Sequence, residues 1–337
     1  MSADAEKITV TDQRGVTLEF DGPVERVVTI PMPAASMFVA VDGGVDHLVG
    51  MNPASLDAIT EGVLGEFYPE AADIPADVAG TDFVPNVESI LAADPDVVIQ
   101  WGDRSEQITG PLEDAGIPVI GLSYGSQEDL ETWIEIFGAI LGKDDRAEEI
   151  IQKHQDDLDM IGNAVAQEEE SPSILYLNQS SGGYIASGTE SYMDFSIDLV
   201  GAENAAAELT GSAEEVGIEQ ILDRDPEIVL LSNFDTTMPE DIYADELWQD
   251  VSAVRDKRVY RVPLGGYRWD PPNQESNLMW HWLAQIAHPD ADLDPLRPRI
   301  ESSAEYLYGQ VPTAEQVDEI LWSSENADSQ GYDAFTE

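Results

Sequence analysis

A twelve-residue pattern occurs twice in this chain. Val87-Glu-Ser-Ile-Leu-Ala-Ala-Asp-Pro-Asp-Val-Val98 aligns without a gap on Ile218-Glu-Gln-Ile-Leu-Asp-Arg-Asp-Pro-Glu-Ile-Val229. Each copy reads as a short helix, a corner and a buried strand. The corner follows from the proline, which disfavours helical backbone in the aspartate before it. A helix–Asp-Pro–strand junction alone is common in α/β proteins. A gapless match that keeps Glu, Ile-Leu, Asp-Pro and an apolar pair points instead to a duplicated unit. The 337 residues are enough for two units of about 150 residues each.

The flanking pattern supports an α/β fold with two similar lobes. Ile8–Val10 and Val16–Phe20 alternate around Asp12-Gln-Arg-Gly15, which reads as a hairpin. Short apolar runs at 26–31, 97–101 and 117–122 then alternate with helical patterns. They start again at 174–177, 228–231 and 259–262. Short buried strands separated by helices predict a parallel-sheet α/β sandwich in each lobe. Between them lies the longest helical stretch, 129–167. The expected divisions are an N-terminal lobe at 1–128, a helical segment with the interlobe helix at 129–170, a C-terminal lobe at 171–310, and a tail at 311–337. The tail beyond Trp322 is polar with little periodicity, so it is expected to be mobile.

Charge removes several function classes. Fifteen basic residues stand against 68 acidic ones, for a net charge of −53. Nucleic acid binding is excluded, because phosphate contacts need lysine and arginine. The acids are spread along the chain, which fits adaptation to molar salt, as in haloarchaea; a protein with acidic partners is the alternative. There is no cysteine, hence no disulfide, thiolate metal site or thiol nucleophile. His47, His154, His281 and His288 lack metal-ligand spacing, so no metal site and no cofactor is expected. No glycine-rich phosphate loop, nucleophile elbow or zinc-protease signature occurs. Ser181-Gly-Gly183 is glycine-rich but does not open a typical phosphate loop. Residues 1–7 lack the apolar core of a signal peptide, which leaves an intracellular protein or a removed signal.

Several segments resemble the class III substrate-binding proteins of ABC importers, which include cobalamin, iron–siderophore, haem and some molybdate binders. They are Arg26-Val-Val-Thr29, Glu88 to Val98, Gly116-Ile-Pro-Val-Ile120, Leu141-Gly-Lys-Asp-Asp-Arg-Ala147, and Tyr267 to Leu278 followed by Trp282-Leu-Ala284. The resemblance runs over about residues 6–310. It implies two lobes bridged by one long helix, a ligand cleft between them, and no catalysis. It also implies an ABC permease partner, a monomer, and a location outside the cytoplasmic membrane, signal-removed or lipid-anchored. Glu88 and Glu219, equivalent in the two repeats, match the family's permease-docking positions. As residues alone they are equally ordinary first-turn helix glutamates.

Ligands of open α/β sheets bind beyond the carboxyl ends of the strands. Those positions hold Met32, Trp101, Arg104 and Tyr124 in the first lobe, and Tyr184, Tyr267, Arg268 and Trp269 in the second. Arg104 and Arg268 carry the sharpest inference: in so acidic a body an anionic ligand needs a local positive site. Pairing with Asp103 or Asp270 is the alternative. The aromatic residues offer flat faces for a large ligand. The expected function is capture of an iron–siderophore-type chelate. Cobalamin and molybdate or tungstate are alternatives within the class, and an enzyme or chelatase on a related duplicated scaffold is the alternative outside it.

Overall fold

The computed structural model describes residues 7–80, 82–179 and 183–336, and of Glu106 the backbone alone. Contacts divide the chain into two compact units, 1–153 with 306–310, and 154–305 with 311–337. The division falls inside a 22-residue helix rather than at a loop.

The first unit begins with the expected hairpin, β1 (Ile8–Thr11) and β2 (Thr17–Phe20), antiparallel with Ile8 opposite Phe20. Asp12 fixes its turn: its carboxylate accepts the backbone N–H of Arg14, Val16 and Gly121. There follow β3 (Val27–Thr29), α1 (Ala34–Asp42), β4 (Leu48–Met51), α2 (Pro53–Glu61), α3 (Val63–Phe67), α4 (Val87–Ala93), β5 (Val97–Trp101), α5 (Glu106–Asp114), β6 (Val119–Leu122) and α6 (Gln127–Leu141). Helix α7 (Asp144–Val165) carries the division between the units. The sheet is parallel, in the order β4-β3-β5-β6. Strand β4 was not legible in the sequence, because Gly50 interrupts it. A Cβ at Gly50 would lie 2.7 Å from Val78 and 3.1 Å from Val28, so only glycine lets the strand approach.

The second unit comprises β7 (Ser173–Gln179), β8 (Tyr184–Ala186), α8 (Tyr192–Leu199), β9 (Glu203–Asn204), β10 (Glu214–Val216), α9 (Ile218–Arg224), β11 (Ile228–Leu231), α10 (Pro239–Ala244), α11 (Ser252–Arg255), β12 (Val259–Arg261), α12 (Ser276–Ala287), α13 (Leu296–Tyr308) and α14 (Ala314–Ile320). Its sheet runs β10-β8-β7-β11-β12, with β9 beside β7. Strands β7, β11 and β12 are parallel, as expected, and the short β9 joins them in parallel; β8 and β10 add an antiparallel edge.

The repeat is structural as well as sequential. Helices α4 and α9 both span seven residues and lead into the buried strands β5 and β11. Asn86 caps the first with its side chain; Gln220 reaches back to the N–H of Gly217 in the second. Both helices end on an aspartate in the left-handed region.

The segment beyond Trp322, expected to be mobile, is packed instead. It joins the second unit, and Asn326, Ser329, Tyr332 and Phe335 are buried. It covers the outer edge of β12: Asn326 accepts the N–H of Arg261 and donates to its carbonyl, and the Gln330 N–H donates to Lys257. These anchors recur every third residue, but two of them are polar, which hides the period from a hydrophobicity reading.

Candidate ligand-binding site

In the first unit the predicted residues lie at the carboxyl ends of adjacent parallel strands. Trp101 ends β5 and is 4% exposed. Its ring centroid lies 5.8 Å from those of Phe83, Tyr124 and Trp133. Tyr124, half-buried past the end of β6, lies 5.1 Å from Trp133 on α6. The Trp133 indole N–H donates to Ser123 O at 2.6 Å, which orients the cluster. The exposed Arg104 lays its guanidinium over Trp101 and Phe83, at 4.4 and 4.5 Å from the ring centroids. Such stacking leaves the edge of the guanidinium fork available for an anion. Met32 is half-buried between β3 and α1, and its carbonyl accepts the Ser55 hydroxyl. Thus Trp101, Arg104 and Tyr124 form one cluster, with Met32 on the neighbouring strand end. Phe83 and Trp133 belong to that cluster too. Neither follows a strand, so the strand-end rule passed over both.

In the second unit Arg268 repeats the arrangement. Its guanidinium lies 4.9 Å from the Phe234 ring and 5.8 Å from Tyr267, and its Nε donates to Asn233 O. Phe234 is 47% exposed, so one aromatic face is open. The loop that presents it is held from behind by two buried charges. Asp270 accepts the Tyr176 hydroxyl at 2.8 Å, the Ser232 hydroxyl at 2.5 Å and the Asn233 N–H. Arg261 donates to the carbonyls of Ser232, Asp235 and Thr237. Burial pushes the Tyr176 phenol well above its ordinary pKa, and the Asp270 carboxylate adds to the shift. Burial works the other way on Arg261, lowering its pKa against the pull of Asp270 and Asp235.

The other predicted residues are placed differently. Trp269 is fully buried and its indole N–H donates to Glu275 at 2.7 Å. Tyr267 is 1% exposed, and burial raises its phenol to about 12 although Arg268 opposes the shift. Both lie in the interior behind Arg268. Tyr184 is half-buried, accepts the Trp248 indole N–H at 2.9 Å, and packs against the unit's apolar core. Ser181 and Gly182 of the glycine-rich run, like residues 1–6, lie outside the described residues.

Glu88 and Glu219 are exposed in the first turns of α4 and α9, free of the packing that buries Ile90 and Ile221 on the same helices. Three of the histidines are bonded within the fold, His154 to Gln274 O, and the fourth, His281, is buried. His47 bonds Asp42, and His288 bonds Val200 O. Among the described residues no group of three or more His, Asp or Glu side chains is arranged to hold a metal ion, and no helix is long and apolar enough to cross a membrane.

Comparison with known proteins gives the arrangement its context. The periplasmic binding protein family matches residues 67–264. A periplasmic solute-binding protein of Veillonella parvula superposes with a TM-score of 0.89 at 32% identity, covering 96% of this chain and 99% of that one. The molybdate-binding protein of Haemophilus influenzae is 23% identical over 238 residues, 63% of this chain and 67% of that protein. A cobalamin-binding protein of Halobacterium salinarum is 25% identical over 267 residues, 77% of this chain and 68% of that protein. The duplicated α/β units, the strand-end clusters and these matches agree: the chain belongs to the periplasmic binding protein family, the extracytoplasmic substrate-binding proteins that serve ABC permeases.

Proposed function

We propose that this protein captures a metal chelate of the iron–siderophore type and delivers it to its permease. The observation that carries this reading is the repeated pairing of an arginine with an aromatic face beyond the strand ends, Arg104 on Trp101 and Phe83, and Arg268 on Phe234. Flat rings supply contact area for a large ligand, and each guanidinium supplies charge-assisted hydrogen bonds to its anionic oxygens. Met32, Tyr124 and Tyr184 complete the contact set, and Tyr267 packs against Arg268 from the interior. Glu88 and Glu219 form the two-point dock on the permease. The protein changes no bond in its ligand and is not an enzyme. It works as a monomer outside the cytoplasmic membrane, free or held there by a lipid anchor.

A tetrahedral oxyanion such as molybdate or tungstate is the second reading. The exposed donors of Arg104 favour it, as does the likeness to a molybdate-binding protein. Cobalamin is the third, on the likeness to the Halobacterium protein. Ligand capture in molar KCl separates the three. The protein is mixed with ferric siderophores, haem, cobalamin and molybdate, and what co-purifies is identified by mass spectrometry and elemental analysis. A retained ferric siderophore supports the leading reading, and haem, molybdenum or cobalt moves the ligand within the family. A folded protein that retains nothing removes the chelate proposal.

A further inference from the structure

Helix α14 ends on a tryptophan where local geometry favours glycine. The Ser323 N–H donates to Asp318 O at 2.9 Å and the Trp322 N–H to Glu319 O at 3.1 Å. These two bonds close a helix C-terminus around one left-handed residue, most often glycine. That residue here is Trp322, at φ 51°. Glycine takes this conformation without steric cost, and a bulky side chain does not. A hydrogen bond does not account for the tryptophan, since its indole N–H has no acceptor among the described residues. The half-buried ring instead meets the guanidinium of Arg261, 5.5 Å from the ring centroid. An aromatic face at that range attracts a cation, most strongly a desolvated one, and Arg261 is 4% exposed.

Arg261 connects this helix end to the loops that carry Phe234 and Arg268. Its backbone N–H and carbonyl are both bonded to Asn326, just beyond Trp322. Its guanidinium donates to the carbonyls of Ser232, Asp235 and Thr237, which bracket Phe234. A second tie runs to the other loop. The Leu264 N–H donates to Ile320 O at 2.9 Å, and Leu264 forms an antiparallel bridge with Arg268. We infer that Trp322 is a positioning residue, whose ring fixes the Arg261 guanidinium and through it the Phe234 and Arg268 loops on the ligand side of the second unit. A left-handed tryptophan persists because the surrounding contacts hold it, and holding loops ready before ligand arrives reduces the ordering cost of binding. The role rests on the reading of Phe234 and Arg268 as ligand contacts and adds what keeps them in place.

The test compares wild type, Trp322→Gly, Trp322→Phe, Arg268→Ala and the double variant Trp322→Gly with Arg268→Ala, all in molar KCl. Trp322→Gly removes the ring and relieves the backbone together, so its melting temperature is expected to stay within about 3 °C of wild type. In amide hydrogen exchange of the free protein, peptides covering 232–238 and 264–270 should exchange at least about threefold faster, with those of β7 unchanged. Trp322→Phe keeps a ring over Arg261 and should return the loops to wild-type rates. The binding probes are sodium molybdate, ferric citrate and ferrioxamine. For any probe that wild type binds, Trp322→Gly should lower affinity about fivefold or more, yet add less than about twofold to Arg268→Ala, because it acts through the same contact. Unchanged exchange in both loops overturns the role whatever the probes do. Faster exchange spread equally over the loops and β7 overturns it too, as general destabilisation. Faster loop exchange with full affinity for a bound probe shows that the loops move without consequence, and removes Trp322 from ligand capture. Faster loop exchange confined to the loops, with no probe bound by folded wild type, supports the hold on the loops and counts against the capture reading alone.

Discussion

Asp94 and Asp225 occupy the same backbone conformation in the two units, at φ 47°, ψ 58° and φ 41°, ψ 61°. Each ends a seven-residue helix in the left-handed region, each precedes a proline, and each starts the turn into a buried strand. Their side chains differ. Asp225 accepts the N–H of Ser252 at 2.6 Å and its hydroxyl at 2.9 Å, pinning α11. Glycine relieves the left-handed strain at both sites, by up to about 1 kcal/mol. Asp94→Gly is therefore expected to be neutral or slightly stabilising. Asp225→Gly gives up the Ser252 bonds and should be less stable than Asp94→Gly by roughly 1–2 kcal/mol in denaturant titration. Equal stabilities would show that the Ser252 bonds contribute nothing.

Glu88 and Glu219 are exposed at matching positions of the same repeat. Charge reversal of both, Glu88→Arg with Glu219→Arg, is expected to abolish permease-dependent uptake and leave ligand affinity within about twofold. Uptake assays with the permease, run beside titration of the free protein, check this. Unimpaired uptake would show that the dock lies elsewhere.

Arg268 and Trp269 are neighbours in sequence with opposite roles. Trp269 fills the interior, so Trp269→Ala leaves a cavity and should cost about 3–5 kcal/mol of stability. Arg268→Ala should change stability by less than about 1 kcal/mol and lower ligand affinity at least tenfold. Melting curves and titrations of both variants separate a structural loss from a binding loss. An Arg268→Ala protein with full affinity would remove Arg268 from the site.

His281 on α12 is buried among Asp157 of α7, Arg299 of α13 and Asp294 just before it. Burial, with help from Arg299, depresses its pKa to about 4 against the pull of the two carboxylates. Unfolding returns it to about 6.5, so between these values the unfolded chain binds the extra proton. The neutral form thus stabilises the fold above about pH 6.5, and that contribution is lost as pH falls toward 4. His281→Leu should show a shallower loss of stability than wild type between pH 7 and 5, measured by denaturant titration. Parallel curves would place the acid sensitivity elsewhere.

Net charge sets a further expectation. At −53 the folded chain repels itself, and salt shortens the reach of that repulsion from about 10 Å at 0.1 M to about 3 Å at 1 M. The melting temperature is expected to rise steadily with KCl through the molar range. A flat curve would mean that the acids are adapted to something other than salt.

What the sequence determined by itself is local and periodic. The repeat at 87–98 and 218–229 gave the two similar units, because an Asp-Pro corner and an apolar strand are written in adjacent residues. The hairpin at 8–20 and the parallel strands at 97–101 and 228–231 followed from the same short-range patterns. Strand ends likewise pointed to Trp101, Arg104, Tyr124 and Arg268. The tertiary structure decided what depends on distant neighbours. It brought Phe83 and Trp133 to Trp101 from segments that no periodicity links. It let Gly50 complete β4 through close approach to Val78, and it folded the polar C-terminal segment onto the edge of β12. It also sent Trp269 inward and left Phe234 outward. Aromatic residues serve as core or as contact surface alike, and only the packing around each ring settles which.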